Sequence, residues 1–309
     1  MLSIQSSSLN LFFIHVLLNK FRDELIGKNN AELLLCKLFD LSTVILLKKR
    51  IFMKNLINII RNDIDEFHLN RKITRAKELS EQTGMHVNHN EYPAYFFGDL
   101  QAKFVLVHLN PKQQDNPSDS YKGSFKFDNF DEYFKFHRYY GKTHYGEHSD
   151  KSLKSPFDLK QIRFIKPFNV IEFDDNEYLN LEKVMDNKLQ LELLPFGSSK
   201  FETALIKGDS LNPYVETLLD TIISQEREYV IFCGKVFESL LKNYIVSKKD
   251  YEFKLPKVDG SVAKNNSSFS KIVISFNGSE ISAGMAKSFA QQGLNMSEYG
   301  KKCCQLYNQ

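Results

Sequence analysis

Asn110, followed by Pro111, is the residue in this chain best placed to do chemistry. It ends an apolar run, Phe104 to Gln113 (FVLVHLNPKQ), so a carboxamide arrives where a strand stops. An Asn side chain orients a water molecule but is a poor base, so it serves reactions that depend on positioning and electrostatic preorganisation. Cleaving an N-glycosidic bond is such a reaction: positive charge grows on the sugar, negative charge on the departing base, and the base must first leave its stack. The backbone N–H groups of Lys112 and Gln113 are candidate contacts to the base or its phosphate. Asn110 has a plainer alternative, capping a turn through its own backbone, as Asn-Pro pairs commonly do. Gly197-Ser198-Ser199 offers hydroxyls for phosphate or turn contacts. His86 with His89, and His144 with His148, have spacings that metal ligands use, but no cysteine accompanies them and they read as loop histidines. No Gly-rich phosphate loop and no Gly-x-Ser-x-Gly elbow is present.

These residues need strands to carry them. Val105, Leu106 and Val107 read as a strand buried on both faces, bounded by Asp99 and Pro111. Leu189 to Ser199 stops at Pro195-Phe196-Gly197. Glu228 to Ile245 passes from a strand, Tyr229 to Cys233, through Gly234 into a helix with Val236, Phe237, Leu240, Leu241 and Tyr244 at helical spacing. A fourth run, Lys271 to Ser282, ends on Asn277-Gly278-Ser279. Four such units separated by helical material predict an α/β fold, a three-layer α/β/α sandwich around a central four-stranded, mainly parallel sheet. Ligands of such sheets sit beyond the carboxyl ends of the strands.

The order of these strand ends resembles the uracil-DNA glycosylase superfamily over roughly residues 95 to 300. One branch carries Gly-x-Asn-Pro at its first strand end, and His108-Leu109-Asn110-Pro111 matches the Asn-Pro with His in place of Gly. The family's last strand ends in a His-Pro-Ser or Asn-Pro-Ser loop, which Asn277-Gly278-Ser279 matches without the Pro. Phe232 to Leu240 looks like its third strand and following helix. The resemblance implies hydrolysis of a nucleobase N-glycosidic bond in DNA or a nucleotide without a cofactor. Asn110 would then hold the water, His108, Pro111, Lys112, Gln113, Glu192 and Ser198 would line the base, and Asn277, Gly278 and Ser279 would press on the DNA backbone. Met285, with Lys287 and Ser288 beside it, would be the wedge of the terminal loop, against the alternative that residues 282–292 form a helix packing Met285 and Phe289. Glu192 falls about where the family places the Asn that reads uracil. A carboxylate accepts from an exocyclic amine and cannot donate to a carbonyl unless protonated, which argues against uracil. The competing role for Glu192 is a strand residue on a polar face or paired with a lysine.

Aromatic and basic residues alternate from Phe130 to Lys154. Arg138, Tyr139, Tyr140 and His144 could stack bases and follow a backbone; equally, Phe130 to Tyr140 could be a helix packing Tyr133, Phe134, Phe136 and Tyr140 on the sheet. From Met53 to Leu79 the pattern is helical, with Leu56, Ile59, Ile60, Ile64 and Phe67 on one side and Arg71, Lys72, Arg75 and Lys77 following, a solvated face or phosphate contacts. Leu255 to Lys271 reads as a flexible loop.

With 309 residues and 42% apolar content the chain can bury a real core, and one α/β domain with an appendage is the natural count. A net charge of +3 neither requires nor excludes nucleic acid. Cys36, Cys233, Cys303 and Cys304 lack ligand spacing, which excludes an iron–sulfur cluster and points to a reduced, cytosolic protein. Residues 1–52 read as an apolar extension, either an amphipathic helical pair packed on the domain or a segment outside the functional chain, which would then start at Met53. Its runs Leu9 to Leu18 and Leu33 to Leu47 are interrupted by charge, so no membrane span is expected, and no signal peptide. Two other classes stay open: a nucleic-acid or modified-base binding module of the same fold without catalysis, and a structural or protein-interaction protein.

Overall fold

A computed structural model describes residues 55–111, 126–146, 155–199, 201, 209–256, 261–291 and 293–309. The chain divides into residues 1–51 and 52–309, and the described residues all belong to the second part. The expectations for the first 52 residues, and for Lys112, Gln113 and His148, lie outside the described residues. Among the described residues no helix is long and apolar enough to cross a membrane.

Helix α1 (residues 55–70) and α2 (Thr74–Thr83) open the described chain. The single helical pattern expected from Met53 to Leu79 is broken at Arg71, whose φ of 54° turns the chain out of the helix. Strands β1 (Phe96–Gly98) and β2 (Phe104–His108) follow, then α3 (Phe130–Arg138), α4 (Tyr140–Tyr145), α5 (Pro156–Ile165) and α6 (Glu177–Asn187). Strand β3 (Leu189–Glu192), α7 (Asn212–Ile223), β4 (Tyr229–Cys233), the single turn α8 (Phe237–Leu240), β5 (Ile245–Phe253), β6 (Ser267–Phe276), β7 (Ser279–Ala286) and α9 (Met296–Tyr307) complete it.

Among the described residues the sheet has seven strands in the order β1-β3-β2-β4-β7-β6-β5, not the four expected. Strands β3, β2, β4 and β7 are parallel neighbours, flanked by antiparallel β1 on one side and the antiparallel β6 and β5 on the other. The protein is therefore α/β with a mixed sheet. Every residue of β2 and β4 is buried, as strands covered on both faces require. One face carries Val105, Val107, Leu191, Phe232 and Ile272 against α1, α2 and α7; the other carries Leu106, Ile231, Phe269 and Ala286 against α5, α6 and α9.

The fourth expected strand is two strands. Asn277 and Gly278, with φ of 49° and 75°, form the two-residue turn of the β6–β7 hairpin, and Phe276 pairs with Ser279 across it. An Asn-Gly pair suits this turn because both central residues take positive φ. Residues 282–291 are correspondingly not a helix: Ser282 to Ala286 complete β7, and Met285 is buried there opposite Phe232. The loop expected from Leu255 to Lys271 is strand from Ser267 onward, and the helix expected after Gly234 closes after one turn, because Ile245 begins β5. Arg75 is not on a solvated face; it donates to Tyr95 at 2.9 Å and pairs with buried Asp63 at 3.4 Å.

Gly278 has nothing within 4 Å of the position a Cβ would take, so strain alone should set the cost of a side chain there. Gly278→Ala is expected to cost about 1–2 kcal/mol in urea denaturation; unchanged stability would show that the turn is not left-handed.

Candidate functional site

The parallel strands end together, and their last residues form one row on the face covered by α5 and α9. Glu192 pairs with His108 in register, and Cys233 pairs with Ala286, with Val107 opposite Phe232 fixing the step between. Backbone pairing continues past the strand ends: Leu193 N–H donates to His108 at 2.8 Å, Leu194 N–H to Leu109 at 2.9 Å and Ser198 N–H to Pro111 at 3.2 Å. The segment after β2 and the segment after β3 thus run side by side, bringing Asn110 to Ser198.

Asn110 is half-buried, and its amide donates to Ser198 Oγ at 2.6 Å and to the Pro111 carbonyl at 3.2 Å. A carbonyl only accepts, so Pro111 fixes which end of the carboxamide is nitrogen and turns Oδ1 the other way. Ser198 is buried and acts as an anchor for the amide. Asn110 thus bonds the adjoining backbone, as the turn reading expects, and its Oδ1 is turned away from both partners.

His108 is buried between the rings of Phe157, 5.1 Å away, and Phe289, 5.5 Å away. Its Nε2 has no hydrogen-bond partner among the described residues. Burial, and then the ammonium of Lys188, push its pKa down to about 3, so the imidazole is neutral at physiological pH. Phe289 belongs to the loop after β7, which is tied to α5 by Lys160: its ammonium donates to the carbonyls of Phe289 at 2.8 Å and Gln291 at 3.0 Å. Lys287, at the start of that loop, is half-exposed at the same end of the sheet and donates to the Asn266 carbonyl at 3.1 Å.

Below Glu192 lies a set of polar side chains not anticipated from sequence. Lys188, Gln190 and Glu192 alternate with leucines and so line one face of β3. The fully buried Lys188 donates to Gln161 Oε1 and to Gln190 Oε1, both at 2.7 Å. Gln190 donates to Glu192 Oε1 at 2.6 Å, and Gln161 to Asp158 Oδ1 at 3.1 Å. Tyr145 donates to the other oxygen of Asp158 at 2.6 Å. Burial lowers the Lys188 pKa to about 8, against the opposing pull of Asp158 and Glu192. The neighbouring Cys233 thiol is held well above its usual pKa by burial, then by Glu192, which excludes it as a nucleophile at neutral pH. Period-two alternation of polar residues in a strand buried on both faces is the signal that could have found this chain.

Several expected site residues are elsewhere. Asn277, Gly278 and Ser279 lie at the opposite end of the sheet from Asn110. Strand β7 runs toward the row from Ser279 to Ala286, seven steps or roughly 23 Å at about 3.3 Å each. Asn277 there donates to Asp220 on α7 at 3.1 Å. Asn110 and Asn277 therefore do not share a hollow. Met285 is buried within β7 and cannot be a wedge. Arg138 also sits at the amino-terminal end, pairing with Asp99 at 2.8 Å and donating to the Asp186 carbonyl at 2.9 Å. Tyr139 is exposed beneath the Arg138 guanidinium, while Tyr140 stacks on His144 and points its hydroxyl at Asp158, 3.3 Å away. The helical alternative for this segment is the one that forms, with Phe130, Tyr133 and His137 buried. A cleft of about 350 Å³ at this far end is lined by Asp99, Lys103, Phe104, Ile171, Lys183 and Asn187. Among the described residues no group of three His, Cys, Asp or Glu side chains could hold a metal ion.

No protein-family model matches the chain, and neither a curated protein nor a solved structure matches it.

Two outcomes test this geometry. A buried His with a folded pKa near 3 and an unfolded value near 6.5 stays neutral in the fold while the unfolded chain takes up a proton. Stability from this group is complete above pH 6.5 and is lost as pH falls toward 3, so His108→Gln should flatten the stability-versus-pH slope in that window by up to one proton, about 1.4 kcal/mol per pH unit. Lys188→Met, which strands Asp158 and Glu192 without their central cation, is expected to cost about 3–5 kcal/mol in urea denaturation at pH 7; a change below 1 kcal/mol would show that the chain is not held by its charge.

Proposed function

We propose that the protein hydrolyses the N-glycosidic bond of a nucleobase in DNA or a nucleotide, with Asn110 holding the attacking water. The observation that carries this is the fixed carboxamide: Pro111 and Ser198 take its two N–H bonds, so Oδ1 is left as a preset acceptor at the carboxyl ends of the parallel strands. In the reaction the sugar–base bond lengthens first, and electrons leave with the base. The water held at Oδ1 then adds to the sugar carbon and loses a proton, which the departed base anion takes up, so little base strength is asked of the group that holds the water. Of the two short motifs behind the resemblance to uracil-DNA glycosylases, Asn110-Pro111 has this position and Asn277-Gly278-Ser279 does not. A backbone contact near the site falls instead to the loop after β7, where Lys287 supplies a cation.

The test is base release from oligonucleotides carrying uracil, cytosine, hypoxanthine, adenine or alkylated bases, scored as abasic sites. Asn110→Ala is expected to reduce release by about 100-fold or more while the melting temperature stays within a few degrees. Salt-sensitive binding without release would favour a non-catalytic module of the same fold. Neither release nor binding would leave a structural or protein-interaction role.

A further inference from the structure

Charge in this chain is unevenly spread. From Ile245 to Gln309, the stretch that holds β5, β6, β7 and α9, nine lysines and no arginine stand against five acidic residues, a net +4, whereas the 244 residues before it sum to −1. The positive surplus is therefore carried by one edge of the sheet and the helix packed on it. Strand register then concentrates it. Lys249 on β5 stands directly opposite Lys271 on β6, and like charges so placed repel each other. Each ammonium rests over a tyrosine ring, Lys249 over Tyr251 at 5.1 Å and Lys271 over Tyr307 at 6.0 Å, and neither lysine makes an ion pair among the described residues. The nearby carboxylates are turned away or occupied. Asp250 and Glu252 alternate to the other face of β5, where Asp250 pairs with Lys248 at 2.9 Å, and Glu298 pairs with Lys301 at 3.1 Å. The repulsion between Lys249 and Lys271 is thus left without a counter-charge.

The pair also leads toward the carboxyl-end row. Strands β5 and β7 both run that way, because each is antiparallel to β6. Lys287, three residues past the Gly284 that pairs with Lys271, therefore stands about 10 Å nearer the row, and the exposed Lys254 follows β5 out at the same end. Three strand spacings, about 14 Å, separate β6 from β2, the strand that delivers Asn110. Lysines lack the fork with which arginine grips a single carboxylate; strung along a line as point charges on long stems, they suit a ligand whose negative charges recur at intervals. We propose that Lys249 and Lys271, continued by Lys254 and Lys287, bind the phosphodiester backbone of a nucleic acid along the β5–β6 edge without reading its sequence. Phosphate between the two ammonium groups relieves the repulsion that the free protein carries. The proposal takes from the glycosidic reading only where the strand would lead, and its charge pattern stands whether or not Asn110 acts.

The experiment follows the fluorescence anisotropy of a labelled oligothymidylate and of a labelled mixed-sequence single strand, titrated with the full chain over a series of salt concentrations. It compares the wild type with Lys249→Gln/Lys271→Gln and with a control, Lys77→Gln/Lys183→Gln, which loses the same charge on α2 and α6. The wild type is expected to bind both strands alike. The β5–β6 variant is expected to bind both about tenfold or more weakly at about 0.1 M salt, with the slope of log K against log salt shallower by about 1.4, the counterion release of two phosphate contacts on a single strand. Its melting temperature should not fall, because the substitutions remove a repulsion, so weaker binding would not come from misfolding. The control should bind like the wild type. No binding of either strand, equal weakening by the control, or a preference for phosphatidylcholine vesicles carrying phosphatidylserine over both strands would overturn the proposal. The two readings fail separately: binding that depends on Lys249 and Lys271 without any base release leaves this inference standing and removes the hydrolase. Asn110-dependent release from strands whose binding ignores the two lysines does the reverse.

Discussion

A lysine ammonium sealed inside an α/β sheet is costly, and the surroundings of Lys188 are organised around that cost. Removing the charge from water is unfavourable by several kcal/mol unless it is paired and hydrogen-bonded. Two glutamines supply oxygens and two carboxylates, Asp158 and Glu192, supply the balancing charge. Each of these comes from a different turn of α5 or a different step of β3, so the ion fixes how the helix sits on the strand. The same demand orders the aromatic residues of α4, because Asp158 is satisfied by Tyr145 and Tyr140. What is specified at the middle of the sheet is thereby felt at its rim.

The rim itself is built from backbone continuity. Because the segments after β2 and β3 keep exchanging hydrogen bonds beyond the last formal strand residue, Asn110 and Ser198 are held together although 88 residues separate them. On the α5 face of the same rim the neutral His108 lies between the rings of Phe157 and Phe289, so the electrostatics there are governed by low polarity and a few oriented dipoles.

The buried strands are legible in the sequence because a strand covered on both faces must be a continuous apolar run, as in FVLV and YVIFC. The edges are not. Strand β5 is mostly exposed and carries four charged residues, and its nine residues are held as strand by pairing with β6 rather than by their own pattern. The hairpin turn at Asn277-Gly278 looks like a strand end when read alone; the small residues Ser282, Ala283 and Gly284 that follow conceal a strand because they lack bulk. Gly284 in particular is small to fit Phe269, whose ring lies 2.6 Å from where a Cβ would stand. Asn110 and Ser198 were visible as polar residues after buried strands. Lys188 and its partners were hidden, since a lone lysine before a strand reads as surface until its neighbours are known, and the alternation of Lys, Gln and Glu through leucines is the mark it leaves.

Lys160 fastens the segment carrying Phe289 by a single side chain that grips two carbonyl oxygens. Such a clasp differs from a ladder of backbone bonds in what it asks of the molecule when it is undone: water can take over both carbonyls, while α5 and β7 keep every bond of their own. The ring that screens His108 is thus held in two unlike ways, its backbone by a polar clasp that water could replace and its side chain by core packing on Phe164, with ring centroids 4.9 Å apart, which water could not.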